Sequence, residues 1–284
     1  MPATHRTETA DTDPAALRAI AETLARDAGQ LVRDHSGAPD MRPEFDDKSS
    51  ATDLVTEFDR LAEHHIVSEL ARLRPGDGIL AEEGATSAST TGTTWVIDPI
   101  DGTTNFVYGL PTWSTSVAAV VDGITIAGAV YAPALDEMYS AARGAGASLN
   151  GHRIGRTSSS RPLETAIIAT GFTYRRDRRI AQAALVGHLL SAVGDIRRLG
   201  SAALDLCLVA AGRVDAYVEE HLNSWDVAAG LLIATEAGAQ ASDFSGAPAT
   251  PSQLLVCDPH LHAGLLEVLA QRDLSTRGRR NRAD

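Results

Sequence analysis

The chain has 284 residues, 25 Lys and Arg against 37 Asp and Glu, and a formal net charge of −12. That balance excludes a general nucleic-acid binder, which needs a basic face to displace counterions. With no apolar run of about 18 residues and a polar N-terminus over residues 1–13, the sequence predicts neither a membrane span nor a signal peptide, and hence a cytoplasmic protein.

Residues 1–13 read as a tail. From Pro14, the apolar positions Leu17, Ile20, Leu24, Ala28 and Leu31 recur at three- and four-residue steps and predict an amphipathic helix. Residues 36–47, with Gly37, Pro39 and Pro43 among charges, read as a loop. A second helix is expected after Asp53, with Leu54, Phe58, Leu61, His65 and Leu70 near one face, ending before Pro75-Gly76. The period then shortens, predicting strands at 79–80, 95–97, 116–121, 124–131 and 137–141, with a Ser/Thr/Gly-rich loop over 85–94. A glycine-rich stretch at 144–151 closes this half. The second half alternates strand 166–170, helix 180–193, strand 195–199, helix 202–211, strand 216–219 and helix 225–237. Strands near 239–243 and 254–256 and a helix near 261–270 complete it, and such mixing indicates α/β layers. The four arginines within 277–284 read as a solvated tail.

The two cysteines, Cys207 and Cys257, lie outside any C-x-x-C or Cys/His cluster, and Cys207 reads as a small buried hydrophobe. The glycines after Ala142 complete no G-x-G-x-x-G, so no dinucleotide loop is expected.

Chemistry concentrates in residues 95–106, W-V-I-D-P-I-D-G-T-T-N-F. An apolar strand ends in Asp98, where Pro99 prevents continued pairing. Asp101 follows three residues on, where a turn can aim both carboxylates at one point. Gly102-Thr103-Thr104 then reads as a helix start, whose free N–H groups favour a phosphate. Two carboxylates beside an anion cradle would repel the anion. A divalent cation resolves that conflict, and all-oxygen ligands favour magnesium over zinc. Glu82-Glu83 and Asp226 could complete the shell.

These strings resemble the inositol monophosphatase family of magnesium-dependent, lithium-sensitive phosphatases. The resemblance runs from about Pro14 to Ala270 and rests on residues 48–59 (K-S-S-A-T-D-L-V-T-E-F-D), 81–84 (A-E-E-G), 95–106, 200–219 and 224–230 (S-W-D-V-A-A-G). It implies an α/β, α+β layered fold, a five-layer αβαβα sandwich of the inositol monophosphatase/fructose-1,6-bisphosphatase kind. Within it, residues 14–155 would form an N-terminal α+β part with the metal site and 156–272 a smaller C-terminal α/β part, flanked by tails 1–13 and 273–284. A homodimer is implied as well.

The resemblance also assigns roles. Glu82, Asp98 and the Ile100 carbonyl would bind a first Mg2+, and Asp98, Asp101 and Asp226 a second, with a third ion near Glu82 through water. Thr103 and Asp59 would orient the attacking water, and Glu82 would serve catalysis beside its metal. The N–H groups of Gly102 and Thr103 would hold phosphate oxygens, with Asp101 and Asp226 also facing the substrate. Glu219 would contact sugar hydroxyls, Ala202 would line the same pocket, and Lys48, the only lysine, would steer phosphate. Paired cations of this kind activate water and stabilise attacking and leaving oxygens together.

The reaction so implied is hydrolysis of myo-inositol 1-phosphate or another small phosphorylated polyol. Histidinol phosphate, a bisphosphate or a dinucleotide phosphate are the alternatives, and an added protein-scaffold role is another. Bland rivals exist: Asp59 could cap its helix, Asp226 could merely favour its helix dipole, and Glu83 reads as structural. Trp95 and Trp225 read as core, His221 as a rim residue, and His260-x-His262 as a helix start rather than a metal pair. Arg175, Arg176, Arg178 and Arg179 read as a solvated face or subunit contact, with a second substrate phosphate as the alternative. Ala81 stands where the family more often has glycine.

Overall fold

The computed structural model describes residues 12–35, 45–47, 54–155 and 161–280. Helix α1 (Pro14–His35) is followed by the antiparallel pair β1 (Phe45–Asp47) and β2 (Leu54–Thr56), then by α2 (Glu57–Leu73). Strands β3 (Gly78–Ala81), β4 (Thr86–Ser87) and β5 (Thr93–Asp101) lead into the short helix α3 (Thr103–Val107). A meander follows: β6 (Ser114–Val121), β7 (Ile124–Ala132), β8 (Glu137–Ala142), β9 (Gly146–Leu149) and β10 (His152–Ile154). These strands form an eight-stranded sheet in the order β10-β9-β8-β7-β6-β5-β3-β4, antiparallel except for the β3–β5 pair.

The rest alternates: β11 (Ile167–Thr170), α4 (Arg176–Leu190), β12 (Asp195–Arg197), α5 (Ala202–Ala210), β13 (Ala216–Glu220) and α6 (Ser224–Glu236). Then come β14 (Gln240–Ser242), β15 (Gln253–Cys257) and α7 (His262–Arg280). The second sheet runs β12-β11-β13-β15-β14, with β11 parallel to both its neighbours and β15 antiparallel to its own.

The two-residue period of the central strands sorts their side chains into three cores. On β5, Trp95 and Ile97 join the core under α1 and α2, while Val96 between them faces α5 and α6. On β13 and β15, Tyr217, Leu254 and Val256 meet that same middle core. Ala216, Val218, Leu255 and Cys257 instead pack against Leu185 and Leu189 of α4 and Leu265 and Leu269 of α7. Five layers result: α1/α2, the large sheet, α5/α6, the small sheet, α4/α7. The middle core joins chain segments from both sides of residue 155, so the two halves share one interior; the junction at 156–160 lies outside the described residues.

Several local expectations are corrected. Residue 54 belongs to β2 rather than to the second helix, which starts at Glu57 because Thr56 caps it. The buried stripe of α2 is Asp59, Ala62, Glu63, Ile66 and Leu70, leaving Leu61 37% exposed; two of the five buried side chains are acids, which an apolar pattern skips. The region expected as loop over 36–47 ends in β1, and the loop over 85–94 contains β4. Pro99 does not end β5. Pairing with β6 resumes at Asp101 after an irregularity. The backbone of α7 stays helical past 273 to Arg280.

Candidate active site

The sheet irregularity in β5 is where the site begins. Asp98 pairs with Ser116 and Asp101 with Ser114, so three residues of β5 advance against two of β6. Such a bulge re-aims side chains at a strand end, and Pro99 inside it has no N–H to lose from the ladder. The chain then turns through Gly102 at φ +96, where a Cβ would lie 3.1 Å from the Gly200 carbonyl oxygen and 3.2 Å from that of Thr112. Only glycine meets both demands without strain. Asn105 fastens the turn across the molecule: its Nδ2 donates to the carbonyls of Thr112 (2.5 Å) and Leu199 (2.7 Å).

Three site acids are held by one device, a carboxylate oxygen committed to a backbone N–H at or just before a helix start. Asp59, fully buried, accepts at Oδ2 from the Thr56 N–H (2.7 Å) and Thr56 Oγ1 (2.6 Å), completing a capping box. Its Oδ1 accepts from Thr103 Oγ1 at 3.1 Å, a hydroxyl equally close to the Ile100 carbonyl. Asp101 Oδ2 accepts from Ser201 Oγ (2.6 Å) and the Ala203 N–H (2.7 Å) at the start of α5. Asp226 Oδ2 accepts from the Asn223 N–H (2.6 Å) before α6. The cap expected as Asp59's rival role is therefore real, but it occupies only one of the two oxygens.

Glu82, Asp98, Ile100, Asp101, Thr103 and Asp226 line one wall of a cavity of about 380 Å³. Burial holds Asp98 well above the usual carboxylate range, and the charges of Glu82, Asp101 and Asp226 push it further. Burial lifts Asp101 to about 6, against the pull of Ser201 and Ala203. Burial, then the charge of Asp101, raises Asp226 well above its ordinary value. This wall thus gathers four acids, and Arg198, a cation acting on it, lowers only Asp101 among those described above. Asp98 Oδ1 is buried with no hydrogen-bond partner among the described residues. No three acidic, His or Cys side chains among those residues close into a ready-made metal cage. The donor set still fits a hard cation: oxygen donors only, a buried orphan oxygen, and acids whose charges oppose one another.

The opposite wall comes from α5, β13 and the chain after β11. Glu219 is buried, accepts from the Tyr217 hydroxyl, and is raised to about 7 by burial. It lies so close to Gly171 that a Cβ there would fall 2.1 Å from its Oε2. Ala202 lines this end, as do Asp205, Arg198 and His221. Asp205 is buried too, and burial followed by the charge of Glu219 pushes it well above its ordinary range.

Other expected residues fall as follows. Glu83 lies outside the cavity lining, and its N–H donates to Glu63 Oε2 (2.7 Å) while the Ala85 N–H donates to Glu63 Oε1 (3.0 Å). Glu63, one turn after Asp59 on the same face of α2, thereby holds the loop that carries Glu82. Sequence reasoning missed it, although the i, i+4 spacing from Asp59 is a usable signal. Ala81 fits as the last residue of β3, opposite Ile97. Trp95 is core, its Nε1 donating to Asp77. Trp225 corrects the expectation of a plain core residue, since it both packs against the middle core and lines the cavity. His221 is exposed at the rim, with φ +67. Arg175 is also on the rim and pairs with Asp177 at 2.8 Å, while α4 starts at Arg176. His260 and His262 turn to separate partners, Asp258 and Ser242. Lys48 lies outside the described residues.

Residues 13–274 match the profile of the inositol monophosphatase family. An inositol-1-monophosphatase SuhB of Mycobacterium tuberculosis is 49% identical over 245 residues, covering 81% of this chain and 84% of that protein. Nus factor SuhB of Escherichia coli K12 is 43% identical over 229 residues, covering 80% and 85%. Among solved structures, the Thermotoga maritima IMPase superposes with a TM-score of 0.81 at 38% identity, covering 89% of this chain and 96% of that one.

Proposed function

The chain belongs to the inositol monophosphatase family, and on that premise we propose that it hydrolyses myo-inositol 1-phosphate to inositol and phosphate with magnesium. That it is a phosphatase, a phosphoric monoester hydrolase, comes with the family. The observation that carries the finer reading is the wall of opposed carboxylates around the orphan oxygen of Asp98. Glu82, Asp98, the Ile100 carbonyl, Asp101 and Asp226 would hold two or three Mg2+. Magnesium bound there would neutralise the phosphate and lower the pKa of the attacking water.

The chain's own residues supply position and proton transfer. The N–H groups of Gly102 and Thr103 would hold phosphate oxygens beside that wall. Thr103 Oγ1, donating to Asp59 Oδ1, has lone pairs left to accept from a water and turn its oxygen toward phosphorus. As that water attacks, its proton passes to Thr103 Oγ1 and the Thr103 proton to Asp59, whose Oδ2 stays fixed by Thr56. Phosphoryl transfer needs positioning and charge neutralisation more than covalent help, so no Ser or Cys nucleophile is required. The departing alkoxide would take a proton from water in the cavity, the hydroxide so formed being neutralised by the proton left on Asp59. Ala202 and Glu219 would receive the alcohol, and a homodimer is the proposed assembly.

Phosphate release from inositol 1-phosphate and histidinol phosphate, each with magnesium, with chelator and with lithium, tests this reading. Magnesium-dependent, lithium-inhibited turnover favouring inositol phosphate is expected. Preference for histidinol phosphate would replace the substrate and keep the metal wall; turnover indifferent to chelator would remove the metal reading. The likeness to a Nus factor favours a scaffold role beside catalysis, which Asp101→Asn would leave intact while phosphate release is lost.

A further inference from the structure

The cavity holds one buried carboxylate to which the reaction above gives no task. Asp205 lies on α5 three residues after Ala202, the spacing that puts two side chains on one helix face, and both line the cavity. The residues around it, Leu204, Leu206, Cys207 and Val209, go into the middle core, so Asp205 is a carboxylate in an otherwise apolar helix. The residue is only 2% exposed, and Oδ1 has no hydrogen-bond partner among the described residues. A buried acceptor left unmade costs about 1–3 kcal/mol. A core position would be better filled by Leu or Ala, as its neighbours are. Such a group is explained when a ligand provides the missing donor.

The surroundings say which donor. Glu219 faces Asp205 from β13, and Tyr217 already donates to one oxygen of Glu219. Arg198 is the cation in range of both acids; it lines the cavity and is exposed. Two buried carboxyl groups within electrostatic range of each other and of Asp101 make an acceptor-rich pocket. Ala202, one turn before Asp205, contributes a methyl and no polar atom. Alcohols rich in hydroxyls satisfy that pattern, whereas a plain hydrocarbon leaving group would leave Asp205 without a donor at Oδ1.

We propose that Asp205 is a specificity-determining residue: its carboxylate accepts a hydroxyl of the substrate's alcohol half beside Glu219, so that the pocket selects polyol phosphates over phosphates of bare alcohols. The proposal rests on the polyol reading above. Its test compares inositol 1-phosphate with cyclohexyl phosphate, the same ring without further hydroxyls, in wild type, Asp205→Ala and Asp205→Asn, with melting temperatures of all three. The wild type is expected to favour inositol 1-phosphate in kcat/KM. Asp205→Ala lowers that preference about tenfold to a hundredfold, mainly through KM. Asp205→Asn, which keeps a carbonyl acceptor, retains more of it. Equal losses on both substrates in the two variants, or a wild type that does not prefer the polyol, would overturn the proposal. Should neither variant fold, Asp205→Leu, which matches its apolar neighbours on α5, takes the place of Asp205→Ala with the same expected loss of preference. A preference kept in Asp205→Leu would overturn the proposal. A wild type that hydrolyses neither phosphate with magnesium would instead defeat the substrate reading on which the proposal stands.

Discussion

The two ends of the cavity are built differently. The centre of the phosphate end comes from one run of chain: β5, the bulge at Pro99, the Gly102 turn and α3 supply Asp98, Ile100, Asp101 and Thr103 within six residues. Glu82, Asp226 and Asp59 join them from the loop after β3, from α6 and from α2. The alcohol end is gathered from three places, the chain after β11, the first turn of α5 and the end of β13. A continuous strand–turn–helix fixes its side chains by local geometry, so it tolerates little change. A pocket assembled from separate elements can vary one wall at a time. Chemistry is therefore expected to reside at the first end and substrate choice at the second.

The sharpest way to break this contrast is at the phosphate end. Asp101→Asn should reduce phosphate release about 10³-fold or more on every substrate, because the altered group no longer carries the charge that holds a cation. Circular dichroism should remain unchanged, since an amide oxygen can still accept from Ser201 and Ala203. Thr103→Val comes next: removing the hydroxyl that links Asp59 to the reacting water should lower kcat about 10²-fold with KM little altered. A similar drop in KM-dependent binding instead would make Thr103 a binding residue only. At the other end, Glu219→Gln should raise KM for inositol 1-phosphate about tenfold and leave kcat within a few-fold. If Glu219→Gln struck kcat as hard as Thr103→Val, the division into two ends would be wrong.

The smallest effect is on stability and has a definite sign. Asp101 at about 6 and Glu219 at about 7 both lie above their ordinary values of 3.8 and 4.5. The folded chain therefore keeps protons that the unfolded chain releases. Their contribution is full below about pH 4 and is lost as pH rises through 6 and 7. Metal-free protein should melt higher at pH 5 than at pH 8, and magnesium should narrow the gap at pH 8. Activity runs the opposite way, falling in acid as Asp101 is protonated and recovering partly with more metal. A melting temperature that does not change between pH 5 and 8 in chelator would contradict the raised Asp101 and Glu219.

What the sequence disclosed follows the same division. The layers were legible because strands follow one another in the first half and alternate with helices in the second, and Asp98, Asp101 and Thr103 were legible because they fall in one string. Asp205 was not, since it needs the wall formed by β13, and Glu63 left only its i, i+4 spacing from Asp59, its partners lying in the loop after β3. Asn105 was inside a motif already singled out, yet its bond to Leu199, 94 residues away, has no local trace. Pro99 misled because a proline normally ends a ladder, whereas here a bulge accommodates it.

Asp59, Asp101 and Asp226 each give one oxygen to a backbone amide, and this makes events in the cavity readable from outside it. The amide protons of Thr56, Ala203 and Asn223 stand one hydrogen bond from the reacting region, on β2, on α5 and just before α6. Their NMR chemical shifts and exchange rates register changes in the hydrogen bonds of three separate carboxylates without substrate or turnover. The protein thus carries three native spectroscopic probes, placed so that each reports on a different corner of the same chamber.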